Sequence, residues 1–596
     1  MKRIIQFIII LLCTQIQAQI YLPDFSVNGY YYRIISVNEV ELVPNPNGCI
    51  YYSGNVVIPE SVDYNGINYK VTSLGNYAFN SANFSSLVLP KGIHTIGEYC
   101  FYYATFRGTL DLPDSLKTIN QYAFSEAKVI EAIRIPSKVE TIGLRAFSPI
   151  KTLKNIIVDT ANQYYCSYNG VLYSKDTTTL FCCPGGITGD FTIPNGVKEI
   201  SALSFGNCVI TSIVIPNTVV AIKNAAFSQC TKITSINIPS SVKYIEGGIF
   251  KNCQRLTNIT IDSSNINYKV IDNAIYSINM DTILSHHLAS DTVIVPLTVR
   301  VLGMESFSET KKLKFVVLPR NIINIQYGAF SSSGIRSINL PESLQSIGEA
   351  AFKECENLGS IKIPNSVSYL GNSVFSNCSS LSSVVMSNSV TIIPSRAFEY
   401  CSSLNSFVWG NSIERINSLA FLYCSKLPKK IIFPESLKVL EGWALERTGT
   451  IEVEFMGIID TIGKSNFANL EKLKLRNLTP PFTYEVAVSD NILEMTIPCE
   501  TTPNYLSNPN WSSYNYTEDC DGIEDIDPQS AVQVLTQHKA VDVYNAENYS
   551  VAIYDLTGRC HTAEPATGYN LRHYTLPNSG VYIVRVNGKG YKVVVQ

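Results

Sequence analysis

Charge of one sign is missing from this chain. Across 596 residues, 46 Lys and Arg nearly balance 49 Asp and Glu, and charged residues make up only 16%. No field of one sign therefore points to nucleic acid or to an acidic membrane surface. Catalytic motifs are missing too: there is no HExxH, no GxSxG, no P-loop and no GxGxxG after a strand. The common zinc, nucleophile and phosphate-cradling chemistries are thus not spelled out. Histidine is scarce, with six in all. His286-His287 is the one adjacent pair, but neighbours on a strand face opposite sides and no third ligand stands nearby, so no metal is expected. Regular CxxC spacing is absent, and isolated carboxylates offer no acid/base pair. No cofactor is expected and the chain reads as a non-enzyme. Beyond the N-terminus no apolar run is long enough to cross a bilayer as a helix.

The N-terminus itself reads as an export signal, residues 1–18. Lys2 and Arg3 form a positive n-region, Ile4 to Cys13 a short apolar h-region, and Ala18 the last residue before cleavage, leaving Gln19 first. Export makes sixteen cysteines look like a disulfide framework, but their positions argue otherwise. Seven of them, from Cys208, Cys230 and Cys253 to Cys355, Cys378, Cys401 and Cys424, occupy one slot of a repeat. Elsewhere that slot holds Ala82, Ala104, Ala127, Thr310 or Ser333. Such a slot is small and buried, and reduced, stacked thiols are expected in it, although coils ~5 Å apart would permit a bridge by distance. Cys499 and Cys520, outside the repeats, are the better disulfide candidates.

The repeat is what organises the chain. Thr231 to Cys253 shows it whole: Ile236, Ile238 and Pro239 make a short strand and its stop, because Pro has no N–H for the next rung. Ile245 follows Pro239 by six residues, Phe250 by another five and Cys253 by three more. The same ruler fits Pro90, Ile96, Phe101; Pro113, Ile119, Phe124; Pro216, Ile222, Phe227; and Pro364, Leu370, Phe375. Fifteen anchors run from Phe79 to Phe467, mostly 22 to 24 residues apart. A unit so short cannot bury its apolar face alone, so successive coils must stack into a solenoid.

Around the array, residues 19–72 carry the turn signals Asn28-Gly29, Asn47-Gly48 and Asn65-Gly66 and read as a hairpin cap. The coils run over 73–480. Two gaps, Phe147 to Phe205 and Phe250 to Phe307, hold insertions at about 158–193 and 261–295 with one shared format. The first has Asn162, Tyr164 and Val171-Leu172-Tyr173-Ser174; the second has Asn265, Tyr268 and Ala274-Ile275-Tyr276-Ser277. Each is expected to be a hairpin built onto an elongated coil. Residues 481–520 read as a closing cap, the acidic stretch from Gly522 to Pro528 as a linker, and the alternating segments after it as a small antiparallel β-sandwich.

The Ile-x-Ile-Pro, Ile-Gly, Ala-Phe format resembles the BspA-like leucine-rich repeats of bacterial surface proteins, over about 73–500. That resemblance implies a mostly β leucine-rich-repeat solenoid with an N-terminal cap and doubled insertions. It also implies an exported, adhesin-like surface protein that binds host matrix or other cell-surface proteins. Ile553-Tyr554-Asp555-Leu556-Thr557-Gly558-Arg559, with Leu576 to Val584 behind it, resembles the sorting domain of the type IX secretion system of Bacteroidetes. Residues 521–596 are then expected to engage that secretion machinery at the outer membrane and to be removed.

Positions flanking the inward isoleucines are mostly small and polar, as in Ser235/Asn237, Asn258/Thr260 and Ser337/Asn339. They turn apolar at Phe315/Val317, Val385 and Val408, which marks either a ligand face or a surface covered by a neighbouring loop. A uniformly Ser/Asn face would instead suit a passive surface scaffold, and a hydrolase would need an unrecognised site in the insertions. Six Asp-Ser/Thr segments resemble the O-glycosylation acceptor of exported Bacteroidetes proteins. Thr160, Thr177, Thr282 and Thr292, in or beside the insertions, are expected ahead of Ser115 and Thr461.

Overall fold

The computed structural model describes residues 22–46, 52–287, 290–467, 470–483 and 494–520, and the strands of 533–595. The export signal, the Asn47-Gly48 turn, the linker and the Thr557-Gly558-Arg559 segment lie outside the described residues. Two compact units emerge, one within 1–476 and 481–493, the other within 477–480 and 494–596.

The first unit is the solenoid. Each coil contributes a strand whose alternate residues point inward, a two-residue strand, and a tight turn around the anchor. In Ser235–Ile238, Ile236 and Ile238 are buried while Ser235 and Asn237 are exposed. That strand pairs in parallel with Asn258–Ile261, Ile236 opposite Ile259. The short strands form a second ladder, with Ile222 opposite Ile245. Anchor rings stack along the axis: successive centroids from Phe330 to Phe421 lie 5.2 to 5.5 Å apart and nearly parallel.

The turn around most anchors has two residues in the left-handed region, one two before the ring and one two after it, although at Phe147 the second position is Pro149. Ser373 (φ 55°) and Asn377 (φ 62°) flank Phe375, and Arg396 (φ 57°) and Tyr400 (φ 60°) flank Phe398. Each such residue costs about 1–2 kcal/mol. Burying the ring between them contributes about 1.5–3 kcal/mol. The turn's backbone also bonds the next coil, as when Phe375 N donates to Ala397 O at 2.8 Å.

At the N-terminal end Phe25–Val27, Tyr30–Ser36 and Glu39–Val43 form an antiparallel meander. Glu39–Val43 then pairs in parallel with Ile67–Leu74, which leads into the short-strand ladder. Asn28-Gly29 and Asn65-Gly66 all have positive φ, as a two-residue I′ hairpin turn requires.

Both insertions are antiparallel hairpins whose third strand rejoins the parallel ladder. Tyr165–Tyr168, Val171–Ser174 and Thr179–Cys182 lead to Glu199–Ile200; Tyr268–Ile271, Ala274–Ser277 and Thr282–His286 lead to Val301–Leu302. The equivalent of Tyr268 is Tyr165, not Tyr164 as the sequence format suggested. Each lies three residues after a buried Asn that holds the turn. Asn162 Nδ2 donates to Pro136 O and Val139 O, and Asn265 Nδ2 to Pro239 O and Val242 O. The phenols replace a missing rung. Tyr165 Oη accepts from Ile142 N at 3.0 Å, and Tyr268 Oη accepts from Ile245 N at 2.9 Å while donating to Lys243 O at 3.0 Å.

In the second unit Glu494–Pro498 pairs in parallel with Tyr516–Asp519, and Trp511 and Tyr505 are buried beside them. Two antiparallel sheets follow, Gln533–Gln537, Ala540–Tyr544 and Leu571–Thr575 in one, and Cys560–Glu564, Val551–Asp555, Gly580–Val586 and Lys589–Val595 in the other. Val541, Val543, Ile553, Tyr582 and Val584 belong to the core they enclose.

Candidate binding face

Inward residues fix the outward ones by alternation, so the register of the longer strands defines a face of aligned side chains. Thr292 pairs with Phe315 and Ile294 with Val317; Phe315 in turn pairs with Ser337. Ile294 is 75% exposed, Val317 53% and Phe315 43%, so among the described residues no loop covers them. Lys314 and Asp291, 3.3 Å apart, border this patch. Two coils with polar outward residues separate it from Val385 and Val408, which pair directly. Val408 is exposed and Val385 half-buried. The four expected residues therefore form two patches rather than one. Exposed Ile432 follows in Lys430–Phe433. There Lys430 contacts Glu452 at 2.6 Å and Glu454 at 3.3 Å.

Ile294 and Ile432 were not anticipated. Both are the outward residue of an apolar-x-apolar-Pro strand, Val293-Ile294-Val295-Pro296 and Ile431-Ile432-Phe433-Pro434. The signal was present, but Ile294 was absorbed into the insertion. Elsewhere the face mixes hydroxyl and amide side chains, as where Thr260 Oγ1 donates to Asn237 Oδ1 at 2.8 Å, with exposed Val57, Val88, Ile157 and Val214 on other strands.

The thiols of the repeat slot are free and buried. They are more than small fillers: each donates to the anchor carbonyl of the preceding coil. Cys378 Sγ lies 3.1 Å from Phe352 O, Cys401 Sγ 3.2 Å from Phe375 O and Cys424 Sγ 3.0 Å from Phe398 O. Burial pushes the Cys378 and Cys401 thiols well above their ordinary pKa, and Cys355 up to about 12. Cys499 and Cys520 are joined as a disulfide. Nearby, the Glu518 carboxylate accepts from the Thr502 hydroxyl and from the Glu500 and Thr502 amides, which hold it below the usual range.

In the insertions the anchor position is taken by Cys183 and His286, whose amides donate to Ser204 O and Ser306 O at 2.8 Å. His286 stacks on Phe307 with centroids 4.9 Å apart. Its Nδ1 has no partner among the described residues, and burial, helped by His287, pushes its pKa down to about 4. His287 is also pushed down by burial.

Of the Asp-Thr segments, Thr160, Thr177 and Thr292 are exposed. Thr282 is half-buried and donates to Asp281 Oδ1 at 2.8 Å. The Ser115 hydroxyl is turned inward to Lys91 O and Ile93 O. Among the described residues no helix is long and apolar enough to cross a membrane.

Several solved structures resemble the chain at low identity. A leucine rich cell surface protein from Faecalibacterium prausnitzii is 20% identical with a TM-score of 0.31, covering 73% of this chain and 94% of its own. The pneumococcal vaccine antigen PcpA is 15% identical with a TM-score of 0.36, over 83% and 98%. A leucine-rich repeat protein from Bacteroides ovatus is 20% identical with a TM-score of 0.26, over 83% and 100%. No curated protein matches the chain. The model of the BspA type leucine rich repeat region matches residues 66–170, 181–289, 285–405 and 391–503. With most of its length accounted for in this way, the chain belongs to the BspA-type leucine-rich repeat family.

Proposed function

We propose that this chain is a non-catalytic adhesion module of the cell surface, which contacts a protein ligand through the outward face of its longer strands. The carrying observation is the patch of Ile294, Phe315 and Val317, three large apolar side chains left in water side by side on adjacent strands. Exposed apolar groups grouped in this way mark interaction sites more often than scattered ones do. Members of the resembling family are associated with host matrix proteins and interbacterial contact, which suggests the ligand class. Export through the N-terminal signal and the type IX machinery fits a C-terminal unit that ends in an antiparallel sandwich. Glycans on Thr160, Thr177 and Thr292 suit their exposed positions.

A passive surface scaffold is the second reading, favoured by the Ser, Asn and Thr residues on the remaining strands. Binding of the purified chain to a panel of immobilised matrix proteins separates the two. Saturable binding to one member supports adhesion; uniform failure across matrix proteins and bacterial surface extracts supports the scaffold.

A further inference from the structure

The left-handed residues of the turns form two outward rows, and along the coils from Phe307 to Leu445 those rows change character half-way. On the N-terminal side they are small or acidic. Gly328 and Ser332 occupy one turn and Ala350 and Glu354 the next, with Glu309 before them. These residues line a polar cleft of about 290 Å³. Lys251 and Lys353 also line the cleft: Glu305 is paired to Lys251 at 3.1 Å and Glu354 to Lys353 at 3.8 Å, whereas Glu309 is half-buried and makes no ion pair among the described residues.

On the C-terminal side the same rows are bulky or basic. Arg396 and Tyr400 share a turn, Leu419 and Tyr423 the next, and Trp443 and Arg447 the third. The Tyr400 and Tyr423 rings stack 4.6 Å apart, and the Arg447 guanidinium lies 5.1 Å from the Tyr423 centroid. Arg396, Trp443 and Arg447 are exposed, with Glu399 4.0 Å from Arg396 and Glu446 3.6 Å from Arg447 as in-chain partners. Between the two halves sits the turn of Ser373 and Asn377, small and uncharged.

We propose that this turn edge joins two copies of the chain in antiparallel orientation, with a two-fold axis at the Ser373/Asn377 turn. Reversal about that point sets Gly328/Ser332 of one copy against Leu419/Tyr423 of the other. Ala350/Glu354 meets Arg396/Tyr400, and Glu309 meets Arg447. Small faces bulky where Gly328/Ser332 meets Leu419/Tyr423, acid faces base where Glu309 meets Arg447, and the Ala350/Glu354 level has both; the symmetry makes each contact twice in a closed pair. Such charge pairs fix register and partner more than they add affinity. The edge is narrow beside a standard interface, so the pair dissociates on dilution. It uses none of the sheet-face residues and does not depend on the adhesion reading.

Sedimentation velocity on the full chain over a wide concentration range tests the pairing. A reversible monomer–dimer equilibrium is expected. Arg447→Glu and Glu309→Arg should each weaken it at least about tenfold. Glu309 already sits at a left-handed turn (φ 61°), so a glutamate at position 447 (φ 56°) meets no new backbone constraint. An equimolar mixture of the two variants should dimerise again, because the mixed pair holds one native and one exchanged contact. A chain that stays monomeric throughout, a dimer indifferent to both reversals, or a mixture no tighter than either variant alone would overturn the proposal.

Discussion

At the scale of single residues, the repeat slot and the insertion anchors carry information that residue type only partly reveals. The cysteine slot was legible as small and buried because Ala, Ser and Thr share it. Its hydrogen bond was not, since Ala82 and Ala104 fill the slot without one. Cys378→Ser should preserve stability, whereas Cys378→Ala should cost roughly 1 kcal/mol through the lost bond to Phe352 O; chemical denaturation of both variants measures the difference. His286 was invisible as an anchor because nothing in its type resembles Phe. Its depressed pKa, about 4 against 6.5, means that the neutral ring stabilises the fold. That contribution, up to about 3 kcal/mol, is complete above pH 6.5 and is lost as pH falls towards 4. Hydrogen exchange around residues 282–307 should therefore accelerate on acidification, and His286→Phe should reduce the effect to the part that His287 contributes.

At the scale of elements, the strands followed from three fixed spacings, and the Asn-Gly hairpins from turn chemistry. The insertions were legible as hairpins but not in register, because Tyr164 and Tyr165 are adjacent and only the distance from Asn162 selects the second. What no spacing could show is a phenol acting as a strand. Tyr268→Phe leaves Ile245 N–H and Lys243 C=O without their partner, in a place where the parallel ladder is interrupted. A loss of about 1–3 kcal/mol is expected. Because solenoid coils couple mainly to neighbours, exchange protection should fall in the coils beside the second insertion and persist near Phe101.

At the scale of the whole molecule, the fold was legible because one rule repeats along most of the chain, whereas the binding face was only half legible. Phe315, Val317 and Val408 are outward by alternation, but Ile294 joins them through a pairing that the insertion concealed. Processing and modification also belong at this scale. Protein isolated from its native surface should have lost residues 1–18 and the sandwich after Cys520, and should exceed the remaining polypeptide mass by glycans. Peptide mapping should place those glycans on Thr160, Thr177 or Thr292; a mass equal to the bare chain between the processing points would end that expectation.

The role of the strand face is tested most directly by affinity for a ligand found on the matrix panel, measured for the native chain and for Phe315→Ser/Val317→Ser. Both side chains are exposed, so melting should be unchanged, and removing a central apolar anchor from a protein contact should weaken binding at least about tenfold. An unchanged affinity in a fully folded double variant would contradict the assignment of this face.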